Sequence, residues 1–286
     1  PPRSTLFPYT TLFRSPMTVT LDSGLSSIVF TPAGGTLGMK AAFSAPKGTT
    51  HEKLGSLGRA NCLLGGLEAK PVFPVGPSSP QLELGLKDDL LNELVFALYW
   101  GGALNLPIPA EMLGDSLGDY GITDMVANID FLLPPVLSAC NSQGILKVAV
   151  GDVMLDATLK LFGAPLTMKI YVSLMAGANI TARQTETGST MLGVAVNYPD
   201  FIDMEIASLV GNLSGAEDTI KGLVMDTLLP SLLGTLDGVT PLVEFEIPAI
   251  DMSSFIDGVP AGSELSIMVR EVLRAGAYTV ASGTVQ

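Results

Sequence analysis

The sequence predicts an α+β fold of two strongly apolar helices and a set of half-buried antiparallel strands. Two segments carry apolar residues at helical spacing, and three later segments alternate apolar and polar residues with a period of two. The composition agrees. Hydrophobic residues make up 47% of the 286-residue chain, charged residues 15%, and mean hydropathy is +0.44. So apolar a chain is not intrinsically disordered. Its 15 basic and 28 acidic residues leave a net charge of −13, which argues against nucleic acid as a partner because phosphate binding needs a basic face.

Residues 1–16 are set aside first. The stretch 7–15, FPYTTLFRS, resembles the translation of a sequencing adapter and is read as not native. Without Arg3 and Arg14 the remainder carries 13 basic against 28 acidic residues, a net charge of −15. A reading frame cut there is expected to have lost a signal peptide and an upstream domain. The expected location is secreted, periplasmic or cell surface.

Residues 17–70 are expected to form a β-hairpin region, contributing to a central sheet or to the end of the upstream domain. Segments 18–30 and 36–44 are β-rich and flank TPAGG, a turn signal. Residues 71–84 read as a linker, because prolines at 71, 74, 77 and 80 forbid a helix and favour an extended chain. Residues 85–286 form the main domain. Its first helix opens at Asp88 and Asp89, where acids suit a helix N-terminus. Leu90, Leu91, Leu94, Val95 and Leu98 follow at helical spacing, and Gly101–Gly102 ends the run. Only Asn92 and Glu93 are polar inside it, so burial almost all round is expected.

From Ile145 the period changes to two. Val153, Leu155, Ala157, Leu159 and Leu161 form one apolar face; Leu166, Met168, Ile170, Val172 and Leu174 form another; Ile202, Met204 and Ile206 a third. A second helix is expected over 214–237, opened by the Ser214–Glu217 capping box and kinked at Pro230. Ile220, Leu223, Val224 and Leu228 make its apolar stripe. Further strands are expected around Leu242, Phe245, Ile247, Leu265, Ile267, Val269, Tyr278 and Val280. The longest uncharged apolar stretches, 94–110 and 131–146, are shorter than the ~20 residues a spanning helix wants and contain prolines.

Little in the sequence points to catalysis, and no catalytic residue, cofactor or metal is expected. His51, the only histidine, sits in a Gly/Thr/Lys-rich loop and reads as solvated. There is no nucleophile elbow, P-loop or dinucleotide fingerprint. Asp115, Asp119, Asp124 and Asp130 do not have the spacing of a calcium cage. Asn179 and Asn212 each begin a glycosylation triplet. Cys62 and Cys140 fit either a disulfide in an oxidising compartment or two buried thiols.

Residues 71–286 resemble the second barrel of the family of bactericidal/permeability-increasing protein, lipopolysaccharide-binding protein and the plasma lipid transfer proteins. The resemblance rests on the proline-rich linker, on Leu86, Asp88, Asn92 and Gly101 with ALNLPI and PAEML after them, and on 214–237 with Pro230, Gly238 and EIPAI. EIPAI departs from the family's Gly-Phe-Pro-Leu-Pro text, and the acidic charge does not support endotoxin neutralisation. The resemblance implies a tubular lipid-binding fold, a long, highly twisted antiparallel β-sheet wrapped around two apolar helices. It also implies a phospholipid, fatty acid or sterol as partner, held in an apolar tunnel, with a missing upstream barrel and peripheral membrane contact as further expectations. The expected tunnel lining is Leu91, Leu94, Val95, Leu98, Leu155, Leu159, Ile170, Val172, Ile220, Leu223, Val224 and Leu228. The alternative is a secreted or cell-surface interaction domain of the same fold with a filled core.

Overall fold

The computed structural model describes residues 3–6, 18–31, 34–51, 82–108, 121–138, 146–185, 189–211, 222, 224, 243–247, 249–254 and 258–285. It corrects the expected fold class. Among the described residues the structure is mostly β, 70% strand and 10% helical, with one α-helix where two apolar helices wrapped by a sheet were expected. The physical reason lies in the strands, which run much further than their sequence patterns. The second expected helix, 214–237, lies outside the described residues except at residues 222 and 224.

Strands β1 (Arg3–Leu6), β2 (Val19–Thr31) and β3 (Gly34–Ser44) form a small antiparallel sheet. The expected hairpin is there, closed by the pair Thr31↔Gly34. Strand β4 (Leu82–Lys87) leads into α1 (Asp88–Trp100). Next come β5 (Leu106–Ile108), β6 (Ile122–Phe131), β7 (Val136–Ser138), β8 (Leu146–Leu161), β9 (Ala164–Gln184), β10 (Thr190–Val210) and β11 (Val243–Glu246). These seven strands make one curled antiparallel sheet in the order β11-β10-β9-β8-β6-β5, with β7 also on β8. The short pair β12 (Ile250–Asp251) and β13 (Glu264–Leu265) follows. The hairpin of β14 (Ile267–Ala275) and β15 (Tyr278–Val285) then pairs back onto β4.

Bulges keep the inner face of the large sheet apolar through changes of phase. In β8, Leu146 and Val148 point inward, and then Leu155, Ala157, Leu159 and Leu161 do. The parity flips because β8 spends Gly151 and Asp152 against Ser173 alone, between the pairs Val150↔Leu174 and Val153↔Val172. Asp152 adopts φ +50°, and its N–H donates to Ser173 Oγ at 3.1 Å. A second bulge in β6 does the same at Asp124, φ +52°, so that inward Ile122 gives way to inward Met125 and Ala127. Each extra residue bends its strand and increases local twist. In β10 the buried Pro199, which has no N–H for the ladder, sits between two register shifts.

Helix α1 buries Leu91, Leu94, Ala97, Leu98 and Tyr99. It ends where the glycine pair predicts, with Gly102 in the left-handed region at φ +79°. The 45–50 loop covers that end. Gly48 and Thr49 N–H groups donate to the Trp100 carbonyl at 2.9 and 3.1 Å. A Cβ on Gly48 would lie 2.1 Å from the Gly101 carbonyl oxygen, so only glycine allows this approach.

Candidate functional site

Two apolar clusters lie on the inner side. The first gathers Leu91, Leu94 and Leu98 of α1 with Val19, Leu21 and Phe43 of the hairpin and Leu146, Val148, Ala178, Ile180, Leu192 and Val194 of the sheet; Val95 packs against it half-buried. The second lies on the far part of the sheet. It contains Leu155, Leu159, Leu161, Leu166, Met168, Ile170 and Val172, with Val224 seated on them.

The expected lining residues therefore divide. Leu91, Leu94, Val95 and Leu98 belong to the first cluster, and Leu155, Leu159, Ile170, Val172 and Val224 to the second. Ile220, Leu223 and Leu228 lie outside the described residues, as do Cys62 and Cys140. Strands β8 and β9 run through both clusters, with the Gly151–Asp152 bulge between them. The second face is aliphatic across β6, β8 and β9, while Thr123, Thr158, Lys160 and Thr167 point outward. Such a face offers non-directional burial, at about 25 cal/mol per Å².

The polar residues of the helix motif serve as tethers. Asp88 is buried, and its carboxylate takes a two-pronged contact from Arg274, with Nη1 to Oδ1 at 2.5 Å and Nη2 to Oδ2 at 2.8 Å. Its own N–H donates to the Ala277 carbonyl at 2.9 Å. Asp88 therefore fixes the helix start to the β14–β15 hairpin, beyond the simple capping role its position suggests. Asn92 imitates a strand edge: Nδ2 donates to the Leu137 carbonyl at 2.9 Å, and Oδ1 accepts the Leu137 N–H at 2.8 Å.

His51 is not the solvated loop side chain expected. Its Nε2 lies 2.7 Å from Asp130 Oδ2, and both side chains are about three-quarters covered. The cause is the 45–51 loop, which carries His51 to the end of β6. Asp130 Oδ1 and Asn105 Oδ1 are each buried without a hydrogen-bond partner among the described residues. Tyr99 is close enough to feel Asp130. Its hydroxyl donates to the Leu132 carbonyl at 2.9 Å, and its pKa is raised above the ordinary value, first by burial and second by the Asp130 charge. A histidine held by a carboxylate is the orienting half of a nucleophilic triad. Among the described residues, however, the ring has no serine, threonine or cysteine hydrogen-bonded to it, and no group of three or more His, Cys, Asp or Glu could hold a metal. Of the four scattered aspartates, Asp124 pairs with Lys160 at 2.7 Å and Asp130 with His51, while Asp115 and Asp119 lie outside the described residues. Asn179 is in the interior of β9, where its Nδ2 donates to Asn197 Oδ1 at 3.2 Å.

No family model and no curated protein matches the chain.

Proposed function

We propose that the chain binds lipid without making or breaking a bond, taking acyl chains or a sterol against the inner face of the curled sheet. One observation carries this reading. The second cluster forms an aliphatic face over β6, β8 and β9, and no buried polar or charged residue among those described interrupts it within 122–127, 155–161 or 166–172. Such a face suits a ligand recognised by area rather than by directed hydrogen bonds. A second reading, a filled core in an interaction domain, is favoured by depth of burial, since Met168 and Ile170 are 0% exposed.

Native mass spectrometry after mild purification, together with uptake of a fluorescent fatty acid, separates the two. The lipid reading expects co-purified lipid and saturable uptake. It also expects Ile170→Trp, which fills the face, to lower uptake while the strand signal in circular dichroism persists. A chain that emerges empty and takes up no fatty acid is the filled-core domain instead.

A further inference from the structure

The turn between β8 and β9 breaks two local rules at one residue. Leu161 pairs with Ala164, leaving a two-residue hairpin turn with Phe162 at φ +50° and Gly163 at φ +82°. Two positive φ angles in a two-residue turn favour Asn-Gly or Asp-Gly, and a bulky aromatic at the first position is strained. The ring rests on Gly121 yet is 79% exposed, the highest value among the exposed large hydrophobic residues described. Strain and exposure combined in one side chain point to a role outside the fold.

The surface behind this apex continues the pattern. Val126, Thr158, Thr167 and Val210 pair in turn across β6, β8, β9 and β10, forming one row on the outer face. Val126 is 64% and Val210 69% exposed. Between this row and the apex lie Pro165 and Lys160, the latter neutralised by Asp124 at 2.7 Å. One row further back stand Asp156 and Lys169, 3.7 Å apart. The end of the sheet thus has an aromatic apex, an apolar and hydroxyl row, and then a charged boundary, with its described charges paired.

We propose that this end of the sheet docks on a lipid bilayer surface, with Phe162 inserted among the headgroups. The dimensions fit. The two residues from the apex to the Lys160–Pro165 pair span about 7 Å, within the roughly 5–10 Å that interfacial elements bury, with Lys160 long enough to keep its charge in water and the Val126–Val210 row left at the boundary. A stable protein interface needs roughly 20–30 residues a side, far more than the described residues of this apex and row supply. Paired local charge on a chain of net charge −13 favours zwitterionic over anionic lipid.

The inference goes beyond lipid carriage and is tested apart from it. Phe162→Asn supplies the residue the turn prefers, so the fold is kept. Flotation with phosphatidylcholine vesicles is expected to retain the full chain. Phe162→Asn should lower the bound fraction roughly tenfold or more, the effect of removing one ring from apolar surroundings, with an equal or higher melting temperature. Val210→Asp should also weaken binding, and adding phosphatidylserine should not strengthen it. Fatty-acid uptake from solution should be the same in Phe162→Asn as in the parent. The proposal is overturned if the parent chain does not float with vesicles, whatever its uptake. It is equally overturned if Phe162→Asn binds vesicles as the parent does, or if the substitution only converts a dimer to a monomer.

Discussion

Asp88 and Arg274 are 186 residues apart in sequence and share two hydrogen bonds in a largely buried setting. Removing one partner of such a pair leaves a charge with no compensation. Asp88→Ala should therefore cost about 3–5 kcal/mol in urea denaturation. The double replacement Asp88→Leu with Arg274→Met should cost less than the two single losses together, because neither charge is orphaned. Tyr99 yields a pH prediction of definite sign. The unfolded chain releases this proton near the ordinary 10.0, the folded chain only at higher pH. Stability from Tyr99 is thus complete below that ordinary value and declines as pH rises through the folded pKa. Alkaline denaturation curves of Tyr99→Phe should lack that component of the decline. Neither role is legible locally. The acids of Asp88–Asp89 read as helix capping, and only the fold brings Arg274 to one of them and Asp130 towards Tyr99.

At the scale of elements, periodicity is a good guide to which way side chains face and a poor guide to where strands stop. The alternation at Leu155–Leu161 and Leu166–Val172 appears as read, with apolar members buried. But β9 continues to Gln184 through MAGANITARQ, and β10 begins at Thr190 although its clear alternation starts at Ile202. Alanine, glycine and asparagine carry little strand propensity; the pairing of β9 with β10 holds them extended. The bulge at Gly151–Asp152 is the element-level device on which the inner face depends. Deleting Asp152 would return β8 to an unbroken phase and turn either Leu146 and Val148 or Leu155–Leu161 towards solvent. The expected outcome is loss of cooperative thermal unfolding. Asp152→Gly, which keeps the count and suits the positive φ, should unfold cooperatively.

At the scale of the molecule, the sheet curls enough to give an inner face in two clusters and an outer face with a distinct end. The lipid reading concerns the first and the membrane reading the second, so their variants should act on different steps. Ile170→Trp should lower how much fatty acid is taken up from solution, whereas Phe162→Asn should slow delivery from vesicles alone. The hairpin, the course of α1 to its glycine pair, and the inward sets on β8 and β9 are written in local residue order. Each of these depends on spacing along a few consecutive residues, which burial imposes directly. The mostly β architecture with its single described helix, the length of β9 and β10, the Asp88–Arg274 and His51–Asp130 pairs, and the division of the apolar residues into two clusters arise on folding. Those outcomes depend on which distant segments meet, and strand pairing supplies backbone hydrogen bonds to any sequence that can lie in register, whatever its own preference.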